Sequence, residues 1–201
     1  EFWGRLGGLV ASVFYTYAPF HAVEIYVRGS LTEFWAFVPL PLLLYSLLKL
    51  AKERSRKYIL YSSLALALLI LSHHVLAILF APILLLFLYF VNKIGKPENF
   101  QKIIFSLSLG LGLSAFFWLP SFVESGLTRA PLLESLIFQS YKGYFLPLNE
   151  LINRPWGYEG FSLTAPGAMS FEIGKLHLLL VFFSVYIIFK IAEKKISKIL
   201  L

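Results

Sequence analysis

The chain has 201 residues, of which 58% are hydrophobic, 17% aromatic and only 14% charged, with a mean hydropathy of +0.75. Roughly a quarter of the residues of an average soluble domain are charged, so an ordinary soluble globule is excluded as the first reading and a polytopic membrane protein replaces it. The absence of cysteine rules out disulfides, thiolate metal sites and cysteine nucleophiles; all eleven acids are glutamates, which rules out aspartate pairs; and the net charge of +7 needs an explanation other than nucleic acid.

In chain order, apolar segments fall at 6–20, 34–48, 58–71, 75–91, 103–119 and 176–190, each close to the length needed to cross a hydrocarbon core of about 30 Å. The stretch 58–91 is the ambiguous one. As a single helix it would be about 51 Å long, too long for one span without steep tilt. A turn at His73–His74 places Arg5, Lys49, Lys52, Arg54, Arg56, Lys57, Lys93, Lys96, Lys102, Lys190, Lys194, Lys195 and Lys198 on one side, and Arg28, Arg129, Lys142, Arg154 and Lys175 on the other. One continuous span gives a much weaker asymmetry, so the retention of Lys and Arg on the cytoplasmic side favours the turn. The expected fold is therefore all-α: a transmembrane helix bundle of about six spans, with the net charge a signal of topology. The chain begins at Glu1 and its single methionine is Met169, so it reads as one transmembrane domain excerpted from a longer protein.

Two segments fall on the extracytoplasmic side of this topology. The loop 21–33 holds Glu24, Tyr26, Arg28 and Glu33 in front of an apolar run. Glu24 and Arg28 are spaced i, i+4 and can pair along one helical turn; ionisable groups near membrane depth are costly, so they mark either a functional site or snorkelling interfacial anchors. The second segment, 121–174, exceeds the usual connection length. Within it Leu132, Leu133, Leu136 and Ile137 share one face of an expected interfacial helix, followed by a turn-rich aromatic patch around Trp156, Tyr158 and Phe161.

His73 and His74 lie at the outer turn of 58–91. A neutral imidazole there can bind a metal, move a proton or hydrogen-bond a phosphate, or simply cap a polar turn. In "AFFWLPSFVE" (115–124), Trp118 reads as an interfacial anchor and Pro120 as the end of a span. Pro39 and Pro41 read as breaks that free backbone carbonyls inside a span. No phosphate-loop, nucleophile-elbow, HExxH or dinucleotide fingerprint is present, which disfavours nucleotide-driven transport and hydrolase chemistry.

The blocks "YVRGSLTE" (26–33), "LSHHVLAILF" (71–80) and "AFFWLPSFVE" (115–124), in this order, resemble the membrane family called 6-pyruvoyl-tetrahydropterin synthase-related. The resemblance spans most of residues 5–125. The soluble synthase of that name binds zinc through histidines on a small α/β fold and uses a cysteine, so pterin chemistry is not expected here. The resemblance implies kinship with the C-type glycosyltransferase membrane fold, whose enzymes take sugars from polyprenyl-phosphate carriers at the outer face during cell-envelope glycan assembly. On that basis Glu33 and Glu24 are candidate catalytic carboxylates, Arg28, Tyr26, His73 and His74 candidate phosphate or substrate ligands, and Trp156 and Tyr158 a candidate sugar platform. A divalent metal is a candidate cofactor. The expected partners are the bilayer and a polyprenyl-phosphate-linked sugar, with no nucleic acid, and the expected location is a prokaryotic cytoplasmic membrane. The alternatives from other classes are a non-catalytic transporter or flippase of a lipid-linked envelope precursor, and a structural membrane subunit.

Overall fold

The computed structural model describes residues 4–53, 55–94, 97–127, 145–160 and 167–200. By internal contacts the chain divides into two compact units, Glu1–Gly29 with Lys142–Leu201, and Ser30–Tyr141. Most of the described residues are helical, in line with the all-α expectation, and an isolated bridge pairs Glu159 with Ala168. The expected interfacial helix around Leu132–Ile137, and Phe161 of the aromatic patch, lie outside the described residues.

The second unit contains α3 (Leu31–Ala36), α4 (Pro39–Lys52), α5 (Lys57–Ser72), α6 (His74–Ile94), α7 (Pro97–Leu113) and α8 (Ala115–Val123). One apolar core joins them, with Leu43, Leu47 and Leu50 of α4, Leu69 of α5, Val91 of α6 and Ile103 of α7 almost wholly buried. Helix α5 packs against both α4 and α7. The chain reverses at His73. The buried Asn99 side chain, near the start of α7, donates to the Ala51 carbonyl at the end of α4 (3.0 Å), and Val91 enters the same core, so α6 must return from His74 to the end where α4 finished. The turn inferred from the lysine and arginine distribution is therefore present as a helix reversal.

The helices approach closely through small residues, as expected where lipid supplies no hydrophobic drive between helices. A Cβ on Gly110 of α7 would lie 2.8 Å from the Ser63 carbonyl oxygen and 2.9 Å from Leu66 Cβ of α5. Ser46, Ser62, Ser63 and Ser106 are fully buried, and each hydroxyl donates back to a carbonyl of its own helix, at 2.6–3.0 Å. Buried hydroxyls thus cost little, because none lacks an acceptor. The outward side of α6 shows the reverse of a soluble helix: Ile78, Leu79, Ile83, Leu85 and Leu86 are all exposed.

One expectation about helix breaks holds and one is corrected. The break at Pro39 lies inside the candidate span Leu31–Lys52: α3 ends at Ala36, and Pro39 and Pro41 occupy the first turn of α4, where a helix leaves its N–H groups unpaired in any case. Pro120, by contrast, does not end its helix, since α8 continues to Val123. The break lies at Ser114, where α7 and α8 meet at 69°. The carbonyls before it are satisfied locally: Gly110 O accepts from both the N–H (3.3 Å) and the Oγ (3.1 Å) of Ser114, and Leu111 O accepts from the Trp118 indole N–H (3.0 Å). Irregular backbone at membrane depth requires such partners, which gives Trp118 a capping role beyond interfacial anchoring.

Among the described residues, Leu31–Lys52 and His74–Lys93 are long and apolar enough to cross a membrane, and Asn99–Leu113 with Ala115–Val123 makes a third if the bent pair is one span. Helix α5 is apolar but shorter, at 16 residues or about 24 Å.

The first unit contains α1 (Gly4–Thr16), α2 (Pro19–Val23), a π-turn (Glu24–Arg28), α9 (Leu148–Ile152) and α10 (Lys175–Leu200). The start of α10 is anchored to the α1–α2 corner: His177 Nε2 lies 2.9 Å from the Phe14 carbonyl, and Gly174, at φ +98°, approaches Pro19 so closely that a Cβ would sit 2.8 Å from its Cγ.

Candidate functional site

The Glu24–Arg28 pair forms, in a specific local setting. Glu24 opens the π-turn and Arg28 closes it. Gly29 follows at φ +62°, ψ +21°, and its N–H returns to the Glu24 carbonyl. This left-handed position explains the glycine of the Tyr-x-Arg-Gly block, because a side chain there would be strained even though the space beside it is open. Single π-turns are rare and occur often at functional sites.

The two charges are displayed unequally. Glu24 is fully buried, and its Oε1 accepts from an Arg28 guanidinium nitrogen, whereas the Arg28 side chain is 36% exposed. A hidden carboxylate therefore holds an accessible guanidinium in place. Tyr26, two residues before Arg28, is 72% exposed. This is a suitable arrangement for an oxyanion ligand such as a phosphate, since guanidinium pairs with it bidentately.

In the same unit, Glu150 and Arg154 repeat the i, i+4 spacing. Arg154 donates to Glu150 Oε2 at 2.6 Å, is 7% exposed, and lies 5.3 Å above the Phe171 ring centroid. Its carbonyl accepts from Ser170 Oγ at 3.1 Å. The sequence reading passed over this pair, although its spacing carried the same signal as Glu24 and Arg28. It supports the segment bearing the aromatic pair: Glu159 N–H donates to Gly167 O (2.9 Å) and Met169 N–H to Glu159 O (3.0 Å). Gly157 makes that crossing possible, because a Cβ there would fall 2.0 Å from Gly167 O. Trp156 and Tyr158 are both exposed, with ring centroids 6.2 Å apart and planes at 75°. They offer two perpendicular ring faces on a supported segment.

Glu33, His73 and His74 belong to the second unit and lie at one end of it, where the chain enters α4 and where α5 gives way to α6; α3 packs on α5. Ser30 Oγ is 3.4 Å from Glu33 Oε2. His73 is the cap of α6: its Nδ1 accepts from the Leu76 N–H at 3.1 Å. That bond requires an unprotonated Nδ1, so in this arrangement the neutral ring carries its proton on Nε2. His74 is exposed, stacks on His73 with planes at 20°, and lies 5.9 Å from the Phe117 ring. Thus "SHHV" and "AFFW", remote in sequence, meet through His74 and Phe117.

Among the described residues no three His, Cys, Asp or Glu side chains come together as a metal-binding group. The donor set fits a metal poorly: His73 Nδ1 is occupied by a backbone N–H and one oxygen of Glu24 by Arg28.

No curated protein and no solved structure matches the chain significantly. The family model described as the 6-pyruvoyl-tetrahydropterin synthase related domain, a membrane protein, matches residues 1–197. With nearly the whole length matched, including the segment beyond residue 125 that carries Arg154 and Trp156, the chain belongs to the 6-pyruvoyl-tetrahydropterin synthase-related family of membrane proteins.

Proposed function

We propose that the chain is part of a glycosyltransferase-like membrane protein that handles polyprenyl-phosphate-linked sugars at the outer membrane face in cell-envelope glycan assembly. The observation that carries this reading is Arg28, a guanidinium that is more than a third exposed and held by a fully buried carboxylate on a glycine-terminated π-turn. In glycosyl transfer, the bond between the anomeric carbon and the carrier phosphate breaks as the acceptor attacks, and negative charge grows on the leaving phosphate. A fixed cation stabilises that charge more than it stabilises the substrate. Arg28 takes this role, with Glu24 as its positioning residue. Glu33, beside the Ser30 hydroxyl, is the candidate base that accepts the acceptor's proton. His73 presents Nε2–H as a donor, and Trp156 and Tyr158 offer faces for a sugar ring.

The accompanying topology has about six spans, with the described α5 and α1 as short ones, and with loops 21–33 and 121–174 on the extracytoplasmic side. Reporter fusions at Arg54 and Ser140 should report opposite sides of the membrane. The assay for function is sugar transfer from a polyprenyl-phosphate donor by the full-length protein. Arg28→Ala and Glu33→Ala should each lower the rate by about a hundredfold; parental rates in both would remove the site assignment. A flippase reading draws support from the 69° break at Ser114, since discontinuous helices are common in transporters. Translocation of a labelled carrier lipid in vesicles without any sugar transfer would favour it.

A further inference from the structure

We propose that the end of the second unit where α4 and α6 finish and α5 and α7 begin is a binding surface for anionic phospholipid headgroups. Charge is concentrated there: among the described residues Lys49, Lys52, Arg56, Lys57, Lys93 and Lys102 stand against Glu53. Topological retention accounts for the sign of that charge. It does not account for how the lysines are held.

Three lysines lie over tyrosine rings: Lys93 is 4.5 Å from the Tyr89 centroid, Lys57 is 5.0 Å from Tyr58, and Lys49, whose Nζ also pairs with Glu53 Oε1 at 2.7 Å, is 6.0 Å from Tyr45. A ring beneath an ammonium fixes it at the level where aromatic side chains prefer to sit, between hydrocarbon and headgroups. Tyr58 is buried and packs edge-on against Tyr45 (6.3 Å) and Tyr61 (6.1 Å), so the platform under Lys57 is anchored in the core. A fourth lysine is positioned differently. Asn99, fully buried, donates to Ala51 O at 3.0 Å and accepts from Lys102 Nζ at 3.0 Å, tying α7, α4 and the Lys102 ammonium into one unit.

Lys57 and Lys93 are exposed. Held cations beside an apolar helix surface match a ligand with a phosphodiester head and acyl tails, and Ile83, Leu85 and Leu86 on the exposed side of α6 provide the apolar surface in the same unit. A free phosphate would satisfy the lysines and leave that surface uncovered. The surface uses none of the residues assigned to sugar transfer, so its test stands apart from that reading.

The full chain, purified into nanodiscs of phosphatidylcholine alone or mixed with phosphatidylglycerol, tests this by quantifying the lipid that remains bound after transfer to detergent. The parent should retain phosphatidylglycerol over phosphatidylcholine, and each of Lys57→Gln and Lys93→Gln should lower that preference about fivefold. Lys175→Gln, in the other unit, should leave it unchanged. Helical circular dichroism and melting in phosphatidylcholine nanodiscs establish that each variant is folded. Equal retention of the two lipids by the parent, or an undiminished preference in the folded Lys57→Gln/Lys93→Gln double variant, would overturn the proposal.

Discussion

Adding one methyl group at Gly110 should loosen the second unit, whereas adding it two residues later should not. In Gly110→Ala the new Cβ would meet Ser63 O at 2.8 Å, Leu66 Cβ at 2.9 Å and Leu66 Cδ2 at 3.1 Å. The first is a backbone atom and the second the root of a side chain, so neither moves without the helix. Restoring ordinary contact requires α5 and α7 to separate by roughly half an ångström, and overpacking of this kind costs about 1–3 kcal/mol. Alanine's preference for the helix over glycine returns about 0.8–1 kcal/mol. The net loss is about 1 kcal/mol, or a fall in melting temperature of about 2–4 °C for a chain of this size. Gly110→Val, which forces more atoms into the same crossing, should fall further. At Gly112 a Cβ meets nothing within 4 Å, so Gly112→Ala should melt at or slightly above the parent. Thermal unfolding of the three variants in one detergent decides the matter. If Gly110→Ala melts with Gly112→Ala, the close α5–α7 crossing is wrong.

At Gly29 the limitation is backbone conformation, not space: Gly29→Ala should cost about 1–2 kcal/mol from its positive φ, and Gly29→Asn should be milder; substrate titration should show weaker binding in both if the π-turn sets the Arg28 position. Removing the Arg28 side chain takes its ion-pair partner from a buried carboxylate, so Arg28→Ala should lower the melting temperature, while Arg28→Ala combined with Glu24→Gln should recover part of that loss. Recovery of stability without recovery of transfer separates the structural effect from the functional one. His73→Ala removes the α6 cap and should cost about 1 kcal/mol, with His73→Asn restoring most of it in the same melting assay. Equal melting of the alanine and asparagine variants would show that the Nδ1 bond contributes nothing. Gly157→Ala should disorder the aromatic segment by driving a Cβ into Gly167 O, visible as a change in Trp156 fluorescence, and an unaltered spectrum would contradict the crossing.

The sequence alone was sufficient for the membrane class, the helical fold, the reversal at His73 and the Glu24–Arg28 pair. Each of these depends on local chemistry: apolar runs of sufficient length, the distribution of basic residues between those runs, and two opposite charges one turn apart. The motifs also identified the family that the match over residues 1–197 then established. Sequence was a poorer guide where the outcome depended on what a residue meets. Pro120 reads as the end of a span, yet it lies within a helix and the break falls at Ser114, because the position of a helix break depends on which carbonyls find partners; the Ser114 and Trp118 side chains supply them at 110–111. Spacing could not show that Glu24 is buried while Arg28 is exposed, which turns a symmetric ion pair into a displayed cation. Nor could it distinguish Gly110 from Gly112, since only the approach of α5 makes one essential and leaves the other free. Periodicity and charge act along the chain and can be read from it. Burial, close approach and the satisfaction of freed carbonyls depend on neighbours tens of residues away, so the tertiary structure alone decided them.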